Sequence, residues 1–272
     1  MIDLHLHTTA SDGRLVPREL VHLAAAAGVR VMAVTDHDTT ASVADVEACA
    51  REQGIEAVPG IEITSVFGGR DVHMLAYFMD IADVEFQRFL AAQRAARIAR
   101  LEAIGLRLTE LGVPVKLDAA LALARLQSSI SVGRPHVARA MVAAGHAKDA
   151  KDAFDRWLGT NRPAFVPRVG PPPEAVVAIV HAAGGVVSMA HPGRTQADDL
   201  IAPLHDAGLD AIEVYHSDHD AATVEKYAAL ARQRGLLVTG GSDFHDPASA
   251  LRPGAVTLPE DDWQRLLARR TQ

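Results

Sequence analysis

The sequence lacks most of what would place it outside ordinary soluble enzymes. It has one cysteine, Cys49, so no intramolecular disulfide can form. That residue sits among helically spaced apolar positions in ADVEACARE and reads as a buried core thiol. No stretch approaches the roughly 18–20 consecutive apolar residues of a membrane-crossing helix. Residues 1–6 already read as strand, so no signal peptide is expected ahead of the fold, and the expected setting is cytoplasmic. Positive charge is not in excess: the formal net charge is -7, which argues against a protein that coats long nucleic acid. A small anionic substrate stays open, because bound divalent cations would reverse the charge locally. Aromatics make up only 4%, yet 49% of the 272 residues are hydrophobic, enough to bury a sizeable core and too many for a disordered chain.

What is there is alternation. Strands are expected at 2–7, 31–36, 56–64, 71–78, 186–191, 211–216 and 236–245. Helices are expected at 17–28, 42–54, 171–185, 198–208 and 222–235, the first punctuated by Pro17 at its start and Gly28 at its end. In between, Ala/Leu/Arg-rich helical patterns cover 84–126, 133–145 and 150–159. The expected organisation is an α/β barrel built from residues 1–81 and 166–272, with a helical insertion at 82–165 that caps the active site. Strands alternating with helices imply parallel pairing through right-handed crossovers, and seven or eight such units imply a closed barrel rather than an open sheet.

The 13 histidines carry the chemical signal. His5 and His7 form H-x-H; in a strand, side chains at i and i+2 share a face, so both imidazoles can reach one ion at about 2.0–2.1 Å. The bland alternative is a polar pair on a solvated strand face. Asp12 follows in the next loop. TDHD (35–38) brings Asp36 and His37 out at the end of the second strand, with Asp36 a candidate catalytic carboxylate. Glu62 lies inside the otherwise apolar GIEIT, where a buried carboxylate needs a cation, either a metal or a salt-bridge partner. His73, in DVHMLAYF, is a ligand or a satisfied core residue. His191 ends VVSMAH, and Asp243 and His245, again i and i+2, end LLVTGGSDFH.

These six histidines and three carboxylates fall at or near strand ends, where parallel α/β barrels build their active sites. A zinc-type site uses about four donors, so nine suit two or three divalent ions sharing a carboxylate. The mixed N/O donor set without thiolates points to manganese first, with iron or zinc as alternatives. Metals about 3.5–4 Å apart are typical of phosphoester hydrolysis, where they activate water and absorb charge on the phosphoryl oxygens.

DLHLHTTASDG, TDHD, GIE, His73, AHPG and GSDFH, taken in order, resemble the PHP (polymerase and histidinol phosphatase) phosphoesterases over about two thirds of the chain. The resemblance implies a distorted (β/α)7 barrel and a two- or three-metal centre. By that resemblance one metal takes His5, His7, Glu62 and Asp243, a second takes Glu62 with His73 and His191, and a third takes Asp12, His37 and His245. Within the insertion, SVGRPHVARAM (131–141) resembles the insert of a bacterial subgroup that includes nucleoside 3′,5′-bisphosphate phosphatases and relatives that trim short RNA from the 5′ end.

Gly133, Arg134 and Pro135 open a helix there. Free N–H groups, the positive helix end and a guanidinium make Arg134 a candidate phosphate clamp, against the plainer reading of a helix start with a surface arginine. His136 on the same turn and Arg168 in VPRVG are weaker phosphate candidates. His216, ending AIEVYH, is a candidate phosphate ligand or proton donor to the leaving oxygen, or simply a solvated strand-end histidine.

The expected activity is hydrolysis of the 3′-phosphate of a nucleoside 3′,5′-bisphosphate by a free-standing monomer acting on a small nucleotide or short oligonucleotide. The alternatives are a 5′-to-3′ exonuclease on short oligoribonucleotides, a histidinol-phosphate phosphatase, and a catalytically silent module of the kind attached to polymerases.

Overall fold

The computed structural model describes residues 1–270. Seven strands form one sheet in sequential order: β1 (Ile2–Leu6), β2 (Val31–Val34), β3 (Glu56–Phe67), β4 (Arg70–Tyr77), β5 (Val186–Met189), β6 (Ala211–His216) and β7 (Leu237–Gly241). Helices α1 (Pro17–Ala26) and α2 (Val43–Glu52) follow the first two strands. Helices α3 (Val84–Glu110), α4 (Asp118–Leu126), α5 (Arg134–Ala143) and α6 (Ala150–Ala153) lie between β4 and β5. The rest are α7 (Pro173–Ala182), α8 (Pro192–Thr195), α9 (Ile201–Asp206), α10 (Ala221–Arg234) and α11 (Glu260–Arg270). β2 (VMAV) and β5 (VVSM) are buried at every position, as strands covered on both faces must be.

The sheet curls into a nearly closed barrel. β1–β2, β2–β3, β5–β6 and β6–β7 pair in parallel, whereas β3–β4 and β4–β5 are antiparallel. The uniform parallel pairing expected from the alternation therefore fails at β4. No helix lies between β3 and β4, only a turn at Gly68–Gly69, and a chain without a crossover segment can only fold back on itself. β7 meets β1 through a parallel bridge between Leu6 and Phe244 and a 2.8 Å bond from the Asp243 amide to the His5 carbonyl. Gly241 permits this approach, since a Cβ there would stand 2.4 Å from the His5 nitrogen.

α7, α9 and α10 pack their apolar faces on β3 to β6, and α11 closes the far end with Trp263 and Leu266 against Tyr77 and Leu4. Among the described residues no helix is long and apolar enough to cross a membrane.

Within the helical patterns at 84–126, α3 ends at Glu110, before Gly112 in a left-handed conformation, and α4 starts at Asp118. The packing of α3 reaches across the boundary expected at residue 82. Asp83 caps α3 by accepting from the Phe86 amide at 2.8 Å, and Phe86 and Leu90 then pack into the barrel core. The second half of α3 places Leu101, Ile104 and Leu108 in a separate core with Val137, Met141 and Leu158. One rigid helix thus serves both cores.

Asp38 ties that helix to the barrel. Its fully buried carboxylate pairs with Arg97 of α3 and with Arg168, and accepts from the Thr64 amide at 2.8 Å; its carbonyl accepts from Arg94 at 3.1 Å. Burial works to raise its pKa, but the two guanidiniums outweigh it and hold the carboxyl at about 2. Asp38→Asn suits the positive φ of 52° at this position, yet leaves two buried guanidiniums uncompensated. We expect a stability loss of about 3–5 kcal/mol in urea unfolding; a loss under about 1 kcal/mol would show that this ion cluster does not hold α3 in place.

Candidate metal centre

The strand ends bring donors from β1, β3, β4 and the loops after β2, β5 and β7 to one rim. Alternation along β1 turns His5 and His7 to the same side, and the β7 loop delivers Asp243 opposite them. His5 Nε2 lies 3.3 Å from Glu62 Oε2 and 3.3 Å from Asp243 Oδ1; His7 Nε2 lies 3.3 Å and 3.2 Å from the same atoms. Bonds of about 2.0–2.1 Å at tetrahedral angles produce ligand–ligand separations of this size.

A second group joins His7, Asp12, His37 and His245, with His245 Nε2 3.3 Å and His37 Nε2 3.6 Å from the Asp12 carboxylate. Glu62 is shared. Its Oε2 is 3.2 Å from His37 Nδ1, while its Oε1 is 2.7 Å from His73 Nδ1 and 3.0 Å from His191 Nε2. The compact triad here is His37, Glu62 and His73, with His191 approaching from the other side of Glu62 Oε1.

Free donor atoms make the cluster suited to cations. His7 Nε2, His37 Nδ1 and His73 Nδ1 are buried and make no hydrogen bond, although carboxylate oxygens stand 2.7 to 3.3 Å away. Buried polar atoms normally have partners, and donors that crowd together without hydrogen-bond geometry suit ions placed between them. Burial works to raise the Glu62 carboxyl, but the charges of His37, His73 and His5 hold it well below its ordinary range. Asp243 is likewise held well below its ordinary value by His5 and His245 against the effect of burial. The imidazoles diverge: His7 is pushed up to about 10, with burial opposing and Asp243 and Glu62 prevailing, whereas burial pushes His37 down to about 3 against Glu62 and Asp12. Two donors also sit on strained backbone, His191 at φ 28° and Asp243 at φ 55°, conformations that cluster at functional sites.

The rim opens into a cavity of about 480 Å³ whose far wall is arginine-rich. Arg134, at the start of α5, and Arg100 both lie 3.2 Å from Asp71 Oδ2, and Arg168 pairs with Asp38. Arg100 Nη2 and Arg168 Nε are buried without any partner. Burial and the neighbouring Arg100 lower Arg134 to about 10, so it stays charged at neutral pH.

A family model for the PHP domain matches residues 3–106. The chain is 36% identical over 277 residues to a 5'-3' exoribonuclease Rnm of Salmonella typhimurium, an alignment covering 96% of this chain and 92% of the relative. The chain belongs to the PHP family. It is also 34% identical to a 3',5'-nucleoside bisphosphate phosphatase of Chromobacterium violaceum, over 98% of this chain and 97% of the relative. A solved structure from Bifidobacterium adolescentis, described as a metal-dependent phosphoesterase, superposes with a TM-score of 0.90 at 34% identity, covering 98% of this chain and 95% of its own. This PHP protein is accordingly a metal-dependent phosphoesterase on the distorted barrel of that family, with His/Asp/Glu clusters able to bind metals.

Three expected site residues take other parts. Asp36 accepts from the Thr8 amide (2.8 Å) and from the hydroxyls of Thr8, Ser11 and Ser42 (2.6 Å each); it fastens the loop that carries Asp12 and does not line the cavity. His136 accepts from the Gly133 amide at 3.2 Å through Nδ1, capping its own helix, and is absent from the cavity wall. Burial and Arg139 lower it to about 4, so at neutral pH it brings no positive charge to a phosphate. His216 is fully buried behind Asp243, with Nε2 3.3 Å from Asp243 Oδ2 and Nδ1 accepting from the Asp218 amide. It supports that carboxylate and does not line the cavity.

Glu213 is a participant the sequence reading missed. It accepts from His5 Nδ1 at 2.9 Å and from the His191 amide at 2.8 Å, which leaves His5 Nε2 directed at the cluster. The signal was available, since AIEVYH places a carboxylate in an apolar strand just as GIEIT does. Glu213→Gln should keep the fold and lower metal affinity by about 10- to 100-fold, measured by competition with a chelator. Unchanged affinity would remove Glu213 from the metal centre's support.

Proposed function

We propose that this PHP protein removes the 3′-phosphate of nucleoside 3′,5′-bisphosphates, such as adenosine 3′,5′-bisphosphate, with two or three divalent ions, manganese first. The ions would be held by His5, His7 and Asp243, by Asp12, His37 and His245, and by His73 and His191, with Glu62 shared among them. Bound there, they supply water activation and charge uptake on the phosphoryl oxygens.

One observation carries the bisphosphate reading. The cavity that opens on the donor cluster also has buried guanidinium donors without partners, Arg100 Nη2 and Arg168 Nε, beside the charged Arg134. Four guanidiniums (Arg97, Arg100, Arg134 and Arg168) are balanced there by the carboxylates of Asp38 and Asp71 alone. That wall suits a second dianionic group held while the first is cleaved, because charge-assisted bidentate bonds are the strongest a phosphate can accept. The ring faces of Phe154 and Phe165 stand 5.7 and 5.8 Å from the Arg134 guanidinium and fix its plane.

The name of the Salmonella relative favours a second reading, stepwise cleavage from the 5′ end of short RNA, in which the arginine wall grips a 5′-phosphate. Histidinol phosphate, with a single phosphate, would leave that wall without a ligand.

The test compares phosphate release from adenosine 3′,5′-bisphosphate and adenosine 3′-phosphate with mononucleotide release from a 5′-phosphorylated dinucleotide. The bisphosphate should be the best substrate. Arg134→Ala should cost about 10- to 150-fold on it, the loss of one charged hydrogen-bonding group, and distinctly less on p-nitrophenyl phosphate. Equal rates on the two adenosine phosphates, with equal losses in the variant, would overturn the reading.

A further inference from the structure

The same cavity holds a guanidinium of a different kind. Arg194 lies on α8, directly after His191-Pro192-Gly193, and lines the same cavity. Its Nη1 stands 3.1 Å from Asp243 Oδ2 and 3.7 Å from Asp218 Oδ2, with 57% of the side chain exposed. The platform beneath it is rigid. The Gly193 amide donates to His219 Nε2 at 3.2 Å, and His219 Nδ1 donates in turn to the Val214 carbonyl at 2.9 Å. A Cβ on Gly193 would meet the His219 ring and Thr223 at 2.9 Å, so the turn is seated on α10 with no room to spare. The two strained residues, His191 and Asp243, bring α8 and the β7 loop face to face here.

The geometry points to Arg194 as a catalytic residue that binds the phosphoryl group under attack. Asp243 Oδ1 faces His5 and His7, while Oδ2 faces Arg194 and His216. Arg194 therefore marks the outer, cavity side of the donor cluster, the side from which a phosphoester must enter. The guanidinium is more than half exposed although its partner Asp243 is only 9% exposed, so it can turn from the carboxylate towards an anion entering from the cavity. Arg194 can release Asp243 Oδ2 and donate instead to the non-bridging oxygens of the phosphoryl group.

Those oxygens gain charge as the bond from water to phosphorus forms and the ester P–O bond breaks. The water proton passes to the leaving oxygen, and Arg194 remains protonated throughout. This role rests on the metal-centre reading but not on the bisphosphate reading, because it concerns the phosphate that is cleaved rather than the one that is held.

The experiment uses the manganese-loaded full chain with p-nitrophenyl phosphate, an ester with no second phosphate. Arg194→Ala should lower kcat/KM by about 100- to 1000-fold, with metal stoichiometry by mass spectrometry unchanged. Inorganic phosphate should bind the variant more weakly in calorimetry, and added guanidinium should restore part of the rate. Arg194→Lys, which keeps the charge but loses the planar fork, should fall in between. Loss of metal together with rate would make Arg194 a support of Asp243 and overturn the proposal, as would unchanged phosphate binding or an unchanged rate. Failure of the bisphosphate reading would instead appear in the Arg134 comparison and leave these results as they stand.

Discussion

The structure depends on keeping a buried carboxylate ionised. Glu62 is 1% exposed in the middle of a long strand and is surrounded by the imidazoles of His5, His7, His37, His73 and His191. A charge taken that far from water is tolerable only with cations beside it. The positions of the surrounding strand ends follow from that requirement. β1 turns two histidines inward, the β2 loop bridges His37 to Glu62 through backbone pairing, and the antiparallel β4 presents His73 across from Thr64. The hairpin that breaks the parallel pattern is thus part of how the carboxylate is enclosed.

Support around the donors is as specific as the donors themselves. Glu213 fixes His5, the Asp243 carbonyl fixes His245 Nδ1 at 2.9 Å, His216 backs Asp243, and Arg139 holds the Asp12 carbonyl at 3.0 Å. Asp36 collects three hydroxyls and an amide to keep the Asp12 loop folded. Neighbours in sequence are divided between tasks: in TDHD, Asp36 holds the loop, His37 joins the donor cluster and Asp38 anchors α3.

Much of this was legible in the sequence, because period and chemistry agree there. H-x-H on a strand, a carboxylate inside GIEIT, and histidines closing apolar runs all mark strand ends of one barrel, and the ordered motifs mark the family. The rest depended on direction, which spacing does not encode. The sequence could place His216, His136 and Asp36 near the rim but could not show that each turns to a neighbouring backbone or side chain. The antiparallel β4 had a signal that the overall alternation masked: no helix is expected between 56–64 and 71–78, and a parallel pair needs a crossover segment. The arginines of RAARIAR were hidden because Arg94, Arg97 and Arg100 at three-residue spacing read equally well as a solvated helix face. In the structure they point at Asp38 and Asp71.

The dual membership of α3 has a consequence for selectivity. Phe86 and Leu90 fix one end of the helix in the barrel, Leu101 to Leu108 fix the other in the smaller core, and Arg97 and Arg100 project from the stretch between. α3 is continuous from Val84 to Glu110, so the distance from the arginine wall to the donor cluster is tied to helix pitch. Under the bisphosphate proposal the cavity would act as a gauge, favouring anions whose charged ends match that distance.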